Sequence, residues 1–257
     1  MFVSVKAGGT VSSPRAFLLR IFMATTAAFA FSGAATAANA PANPQDIAGV
    51  WWATSYSAKI QPAGGGALPY NDEGKAAYAK NQAALKDGSL IDTARRFCVP
   101  DGVPRILASP YPFEIVQTPG QVTMIHELNH AIRVVAMDKP TPKDEDLVAF
   151  PYYDGHSYGH WDGDTLVVET LGYNDKTFLD ATGAPHSDAM HTIERIRKIG
   201  GGKQLEDVVT VRDPMMFTKD WSARFVYSLR NDTRIQDFVC GEKHRDISKI
   251  PGVRAPR

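Results

Sequence analysis

From Phe113 onward the chain alternates apolar and polar residues in short runs. "FEIVQ" and "QVTMIHE" are separated by Pro119-Gly120, a pair suited to a type II turn. "HAIRVVAM" follows, then a charged loop of residues 138–146. "HSYGHW" and "TLVVETLG" flank Asp162-Gly163, a strong two-residue hairpin signal. "AMHTIERIRKI", "QLEDVVTVRD", "WSARFVYSLR" and "RIQDFVC" continue the series. In "WSARFVYSLR" the period is two: Trp221, Ala223, Phe225, Tyr227 and Leu229 face one way, and Ser222, Arg224, Ser228 and Arg230 the other. Upstream, "GVWWATSY" predicts a first strand. "NDEGKAAYAKNQAALKDG" predicts the one clear helix, with Asn71 or Asp72 as its N-cap and Gly88 as its stop. The apolar residues of that helix are mostly Ala, which places it on the surface. Residues 89–111 read as irregular and rich in proline.

Nine or ten consecutive strands with short links predict an all-β fold: an antiparallel meander closed into a lipocalin-like barrel, with one short surface helix. Gly49-Val50-Trp51 echoes the Gly-x-Trp of lipocalin-type barrels. No internal repeat is present.

Composition narrows the setting. Across 257 residues, 28 basic side chains balance 28 acidic ones, so neither nucleic acid nor an anionic membrane surface is an expected partner. The first forty residues differ in kind: Lys6, Arg15 and Arg20 precede an apolar run from Ile21 to Phe31, and "SGAATAANA" ends it with small residues. This is the layout of a secretory leader, with cleavage after Ala37 or Ala40. The apolar run is about half of the ~20 residues a membrane span needs, so no span is expected after cleavage. Residues 1–37 are then leader and 38–257 a single barrel domain, periplasmic or secreted. Cys98 and Cys240 form an isolated pair, most simply a disulfide in an oxidising compartment.

Candidate chemistry begins with "GHSYG" (155–159), which fits the Gly-x-Ser-x-Gly of a serine esterase. An elbow of that type needs a buried parallel strand before Ser157 and a helix after it. Here a turn and a strand follow, so the esterase reading, with Asp188 and His191 as imagined partners, is disfavoured. With Asp162-Gly163 as the turn, Trp161 pairs with Asp164, Ser157 with Val168 and His156 with Glu169. One hairpin face then holds His156, Tyr158, His160, Thr165, Val167 and Glu169. It is either a solvated outer face or a polar pocket wall in which Glu169 raises the basicity of His156.

"APHSDAMHTIER" supplies His186, Asp188 and His191. Loop-borne His and Asp beside a strand end are where catalytic groups collect, although such a carboxylate equally caps turns. In "HELNH", one continuous strand would bury His126 and His130. A hairpin loop at Leu128-Asn129 would bring Glu127 and His130 together at its mouth, and Asn129 favours the loop. This is not the helical zinc motif, because the segment reads as β. Six histidines between residues 126 and 191 invite a metal, but no ligand spacing supports one and no cofactor is implied. Arg105 joins Tyr158, Glu127 and His130 as a substrate-binding candidate; Glu114, Arg133 and Arg195 are further pocket candidates.

"PYPFEIVQTPGQVTMIHELNH", "GHSYGHWDGDTLVVETLGYND" and "PHSDAMHTIERIR" together resemble a widespread family of uncharacterised exported bacterial proteins. The resemblance spans the chain from the first Trp strand to Cys240. It implies an exported single-domain protein and brings no functional residue with it.

The residues themselves point to a pocket for a small, partly hydrophobic molecule, leaning to acid–base chemistry of an isomerase, lyase or hydratase type. His156, His186, Asp188, His191 and Glu169 would be the catalytic groups. A non-catalytic, lipocalin-like carrier is the rival. Convergence of His156, His186, Asp188 and His191 would favour chemistry, and an apolar pocket would favour carriage.

Overall fold

The computed structural model describes residues 43–143 and 151–240. The expected leader, residues 144–146 of the charged loop, and the tail from residue 241 lie outside them. Nine strands form a closed barrel in sequence order: β1 (Gly49–Ala53), β2 (Phe113–Thr118), β3 (Gln121–His126), β4 (Ile132–Met137), β5 (His156–Asp162), β6 (Thr165–Leu171), β7 (His191–Ile199), β8 (Gln204–Arg212) and β9 (Trp221–Leu229). β1 pairs with both β2 and β9, so no sheet edge is left open.

The all-β barrel matches the sequence pattern, with two differences. β4 and β5 run parallel, from Val135↔Ser157 to Met137↔Gly159, where an antiparallel meander was expected. A parallel pair needs a return crossover, and the long connection after Met137 supplies it. The second difference is "RIQDFVC", expected as a strand, which forms none. With β9 already paired to β1, the closed barrel offers no edge for a tenth strand.

Short connections gather at one barrel end: Pro119-Gly120, Gly163-Asp164 and residues 200–203. The segments 54–112, 127–131, 151–155, 172–190 and 213–220 lie at the other end, where β1, β3, β6 and β8 finish. The core follows this division. One cluster fills the barrel proper around Trp51, Ile115, Met124, Val135, Leu166 and Ile196. A second caps the long-loop end and joins loop residues Ile60, Val103, Leu107, Leu179 and Met190 to Val209, Val211 and Trp221. Each such side chain withdrawn from water contributes roughly 1.5–3 kcal/mol before entropy is counted.

Helix α1 (Asp72–Asp87) lies where the sequence put it. The Asn71 side chain accepts from the Gly74 N–H, and Gly88 closes the helix in a left-handed conformation. Only Gly74 of this helix is buried, as an Ala-rich surface helix requires. A second helix, α2 (Thr93–Phe97), was not expected in the proline-rich stretch. It is a single turn capped by Asp92, whose carboxylate accepts from the Arg95 N–H.

The β5–β6 hairpin turns one residue later than expected. Asp162 pairs with Thr165, which makes Gly163, at φ 64°, the first central residue of the turn. The ladder therefore slides by two residues. Tyr158, not His156, lies opposite Glu169, and His156 lies opposite Leu171. A slide of two preserves which side chains face inward.

Candidate functional site

Ser157 faces the barrel interior on β5 and is only 5% exposed. Its hydroxyl accepts from Arg133 Nε at 2.9 Å and shares a proton with Thr170 Oγ1 at 2.9 Å. Among the described residues its hydrogen-bond partners are a guanidinium and a hydroxyl, neither of which is a base. Both glycines of "GHSYG" have packing reasons instead. Gly155 adopts φ 62°, and a Cβ there would stand 2.8 Å from Thr170 Cγ2. A Cβ on Gly159 would stand 2.7 Å from Val135 Cγ1, across the parallel seam.

Arg133 organises the buried polar centre. Its Nη1 donates to Glu194 Oε1 at 2.8 Å, and its Nη2 donates to Thr170 Oγ1 at 2.8 Å and to Glu194 Oε2. Burial, followed by the Glu194 charge, holds the nearby Asp207 carboxyl well above its ordinary value, so Asp207 keeps its proton. His126 is stacked on Phe113 at 5.1 Å, and its Nε2 has no hydrogen-bond partner. Burial and the Arg133 charge lower its pKa to about 3, so His126 is neutral. Arg133 and Ser157 also line a cavity at the β4–β5 seam.

The five proposed catalytic residues scatter. His156, His191 and Glu169 all point away from the barrel interior, and each is half-buried. Glu169 accepts from Thr141 Oγ1 at 2.8 Å. His191 lies one residue beyond the last β6–β7 pair, Thr170↔Thr192, so Leu171 separates it from His156. His186 is buried among the loops. Its Nε2 meets Thr177 Oγ1 at 3.0 Å and its Nδ1 meets the Ser187 carbonyl at 3.0 Å. Burial lowers its pKa. Asp188 is exposed beside it.

The substrate-binding candidates fare differently. A cavity of about 380 Å³ opens at the long-loop end, lined by residues that include Tyr56, Tyr111, Leu128, Asn129, Phe238 and Arg105. Its size lies within the range of small-molecule sites. Arg105 makes a bidentate pair with Asp92, at 3.0 and 2.7 Å, and its Nε reaches Asp101 Oδ1 at 2.7 Å. Burial raises the Asp101 pKa. Asp180, also in the lining, accepts from the N–H groups of Ile60, Thr182 and Ala184 and from Thr182 Oγ1.

Glu127 and His130 build one wall of this cavity indirectly. The loop conformation places Asn129 at φ 57°, in the left-handed region, as the hairpin-loop reading required. After β9 ends at the short-turn end, residues 230–240 return to this loop. Glu127 Oε2 accepts from the Gln236 N–H at 3.0 Å, and His130 Nε2 accepts from the Phe238 N–H at 2.8 Å. The Cys98–Cys240 disulfide anchors the end of that segment, and Phe238 and Cys240 line the cavity.

Tyr158 and His156 belong to a second cavity, of about 400 Å³, at the β4–β5 seam. Tyr152, Tyr153 and Asp154 line it too. Tyr152 meets the His156 ring edge-on at 4.6 Å. Burial raises the Asp154 carboxyl to about 6, against the opposing pull of Arg133 and the Gly102 N–H. Nothing in "PYYDGH" announces this half-buried carboxyl.

Among the described residues no three His, Cys, Asp or Glu side chains gather as a metal site, and no helix is long and apolar enough to cross a membrane. No family model matches the chain, and no curated protein matches it.

Proposed function

We propose that this chain is an exported protein that binds a small, partly hydrophobic molecule in the cavity at the long-loop end of its barrel. The carrying observation is the lining: Tyr111, Leu128, Pro110 and Phe238 supply apolar surface over a polar floor whose charged groups are already ion-paired or hydrogen-bonded. The leader pattern and the Cys98–Cys240 disulfide support export, to the periplasm or beyond, and the segment resemblance supports the exported bacterial family. Native mass spectrometry of gently extracted protein tests the reading. A small molecule should be retained one to one by the wild type and lost from Ala108→Trp, which fills the lining. Wild-type protein that stays empty across extracts and ligand libraries overturns it.

A catalytic reading is favoured by one further observation, the near-neutral Asp154 beside His156 in the second cavity. An acid poised near the working pH is suited to proton transfer of the isomerase, lyase or hydratase kind. In this form Asp154 replaces Glu169 as the carboxylate partner. Turnover of a bound ligand that survives Asp154→Asn removes this reading.

A further inference from the structure

We infer that the ligand is an amphiphilic anion that enters the first cavity apolar end first and leaves its acidic head at Arg95. This rests on the cavity being a binding site and adds the chemical class of its ligand. Charge is divided unequally between the floor and the rim of this cavity. Both carboxylates in the lining lie on the floor, with Asp101 6% and Asp180 2% exposed.

Neither carboxylate is available to a cation. The Asp180 carboxylate accepts four hydrogen bonds from its own loops and from Ile60. Asp101 is engaged by Arg105 Nε and, at 3.4 Å, by Asn129 Nδ2. An amine seeking Asp101 would also have to bury its own charge beside Arg105, at a large desolvation cost.

The rim is different. Its exposed lining residues are Tyr56, Ser57, Ala58, Arg95 and Pro110, so Arg95 is the one ionised side chain among them. Asp92 could have neutralised it, but Arg105 takes both Asp92 oxygens. Among the described residues Arg95 is left with one Nε contact to Asp92, at 3.5 Å. Its guanidinium thus stands at the mouth of an apolar cavity with donor capacity to spare, the arrangement that recognises carboxylate or sulfonate. The Tyr56 hydroxyl on the same rim suits the same head group, whereas the Ser57 hydroxyl donates to the Lys59 carbonyl at 2.7 Å.

Two probes with one aromatic skeleton make the test: anionic 1-anilinonaphthalene-8-sulfonate and neutral N-phenyl-1-naphthylamine. Fluorescence titrations of the folded full chain should show both binding. Arg95→Gln should weaken the anionic probe by about two- to fivefold, as expected for a largely exposed charge pair, and leave the neutral one unchanged. Added salt should weaken only the anionic probe, and only when Arg95 is present. Ala108→Trp should abolish both; Ser57→Trp, at an exposed position, does the same if the first variant misfolds. Equal effects of Arg95→Gln on the two probes, or none on either, overturn the anionic inference and leave the binding reading standing. Failure of both probes to bind, or binding indifferent to both Trp variants, overturns the binding reading itself.

Discussion

Arg133 on β4 reaches across β5 and β6 to form a buried ion pair with Glu194 on β7, contacting Ser157 and Thr170 on the way. One side chain therefore ties four consecutive strands together from the inside. Among them is the parallel β4–β5 seam, whose register holds only three residue pairs. Fully buried ion pairs gain little net stability over apolar packing, but they penalise any arrangement that separates the partners. The seam is short and the crossover before it long, so a register error there would be cheap without this penalty.

Removing one partner should therefore cost far more than removing both. Arg133→Met leaves Glu194 buried without a counter-charge and beside Asp207, and should destabilise the protein by about 3–5 kcal/mol. Adding Glu194→Leu to that variant should recover more than half of the loss. Urea unfolding of the three proteins measures it. A cost below about 1 kcal/mol for Arg133→Met would show that the pair does not hold the seam.

His126 should make the barrel acid-labile. In the folded protein it stays neutral down to about pH 3, while the unfolded chain takes up a proton below the ordinary value of 6.5. The unfolded state then binds more protons as pH falls, so this contribution to stability is full above 6.5 and is lost progressively towards 3. Between pH 7 and pH 5 the loss amounts to about 2 kcal/mol from this residue. Asp207 acts with the opposite sign, since a carboxyl whose pKa is raised by folding adds stability as pH falls towards its unfolded value. The difference between wild type and His126→Phe isolates the histidine. The variant should be the more stable at pH 5, because it also removes an unpartnered buried nitrogen, and parallel pH profiles would refute the assignment.

The barrel was legible because period-two alternation survives in nearly every strand, and "WSARFVYSLR" shows its inner face without ambiguity. The parallel seam was not, since "HAIRVVAM" and "HSYGHW" carry no mark of relative direction. The buried ion pair left a trace that went unused: Arg133 shares parity with Val135 and Met137, and Glu194 with Ile196. A charge on an otherwise apolar strand face needs a buried partner. The sequence left the His156 hairpin face open, as either a solvated face or a pocket wall. Which hairpin face is interior depends on pairing with β4 and β7, information that local sequence lacks. Arg105 lines the first cavity, and Glu127 and His130 hold the segment that lines it, because loop residues gather at strand ends.

The Cys98–Cys240 bridge should hold the segment after β9 against the barrel. Protein purified without reductant should contain no alkylatable thiol. Replacing both cysteines by Ser reopens a loop of 142 residues in sequence, which the chain-entropy view values at about 5 kcal/mol. The contacts from Glu127 and His130 remain, so the barrel should still form while residues 231–240 become accessible to protease. Two reactive cysteines in the native protein, or an unchanged proteolytic pattern in the double variant, would contradict this role.

"GHSYG" should behave as a packing motif in every test that separates packing from catalysis. Ser157→Ala deprives Arg133 Nε of its acceptor inside the barrel and should cost about 1–3 kcal/mol. No fluorophosphonate labelling should depend on the hydroxyl. Gly159→Ala introduces a methyl group 2.7 Å from Val135 Cγ1 and 3.0 Å from Met137 Sδ. Overpacking of that kind should cost roughly 1–3 kcal/mol. Val135→Ala removes the atom in the way, so the double variant should be more stable than the sum of the two single changes implies. An esterase elbow predicts the reverse: labelling that vanishes with Ser157, and a Gly159 effect on acyl transfer that Val135→Ala leaves untouched. Serine-dependent labelling of the folded wild type would restore the nucleophile, and strict additivity at Gly159 and Val135 would remove the steric explanation for the second glycine.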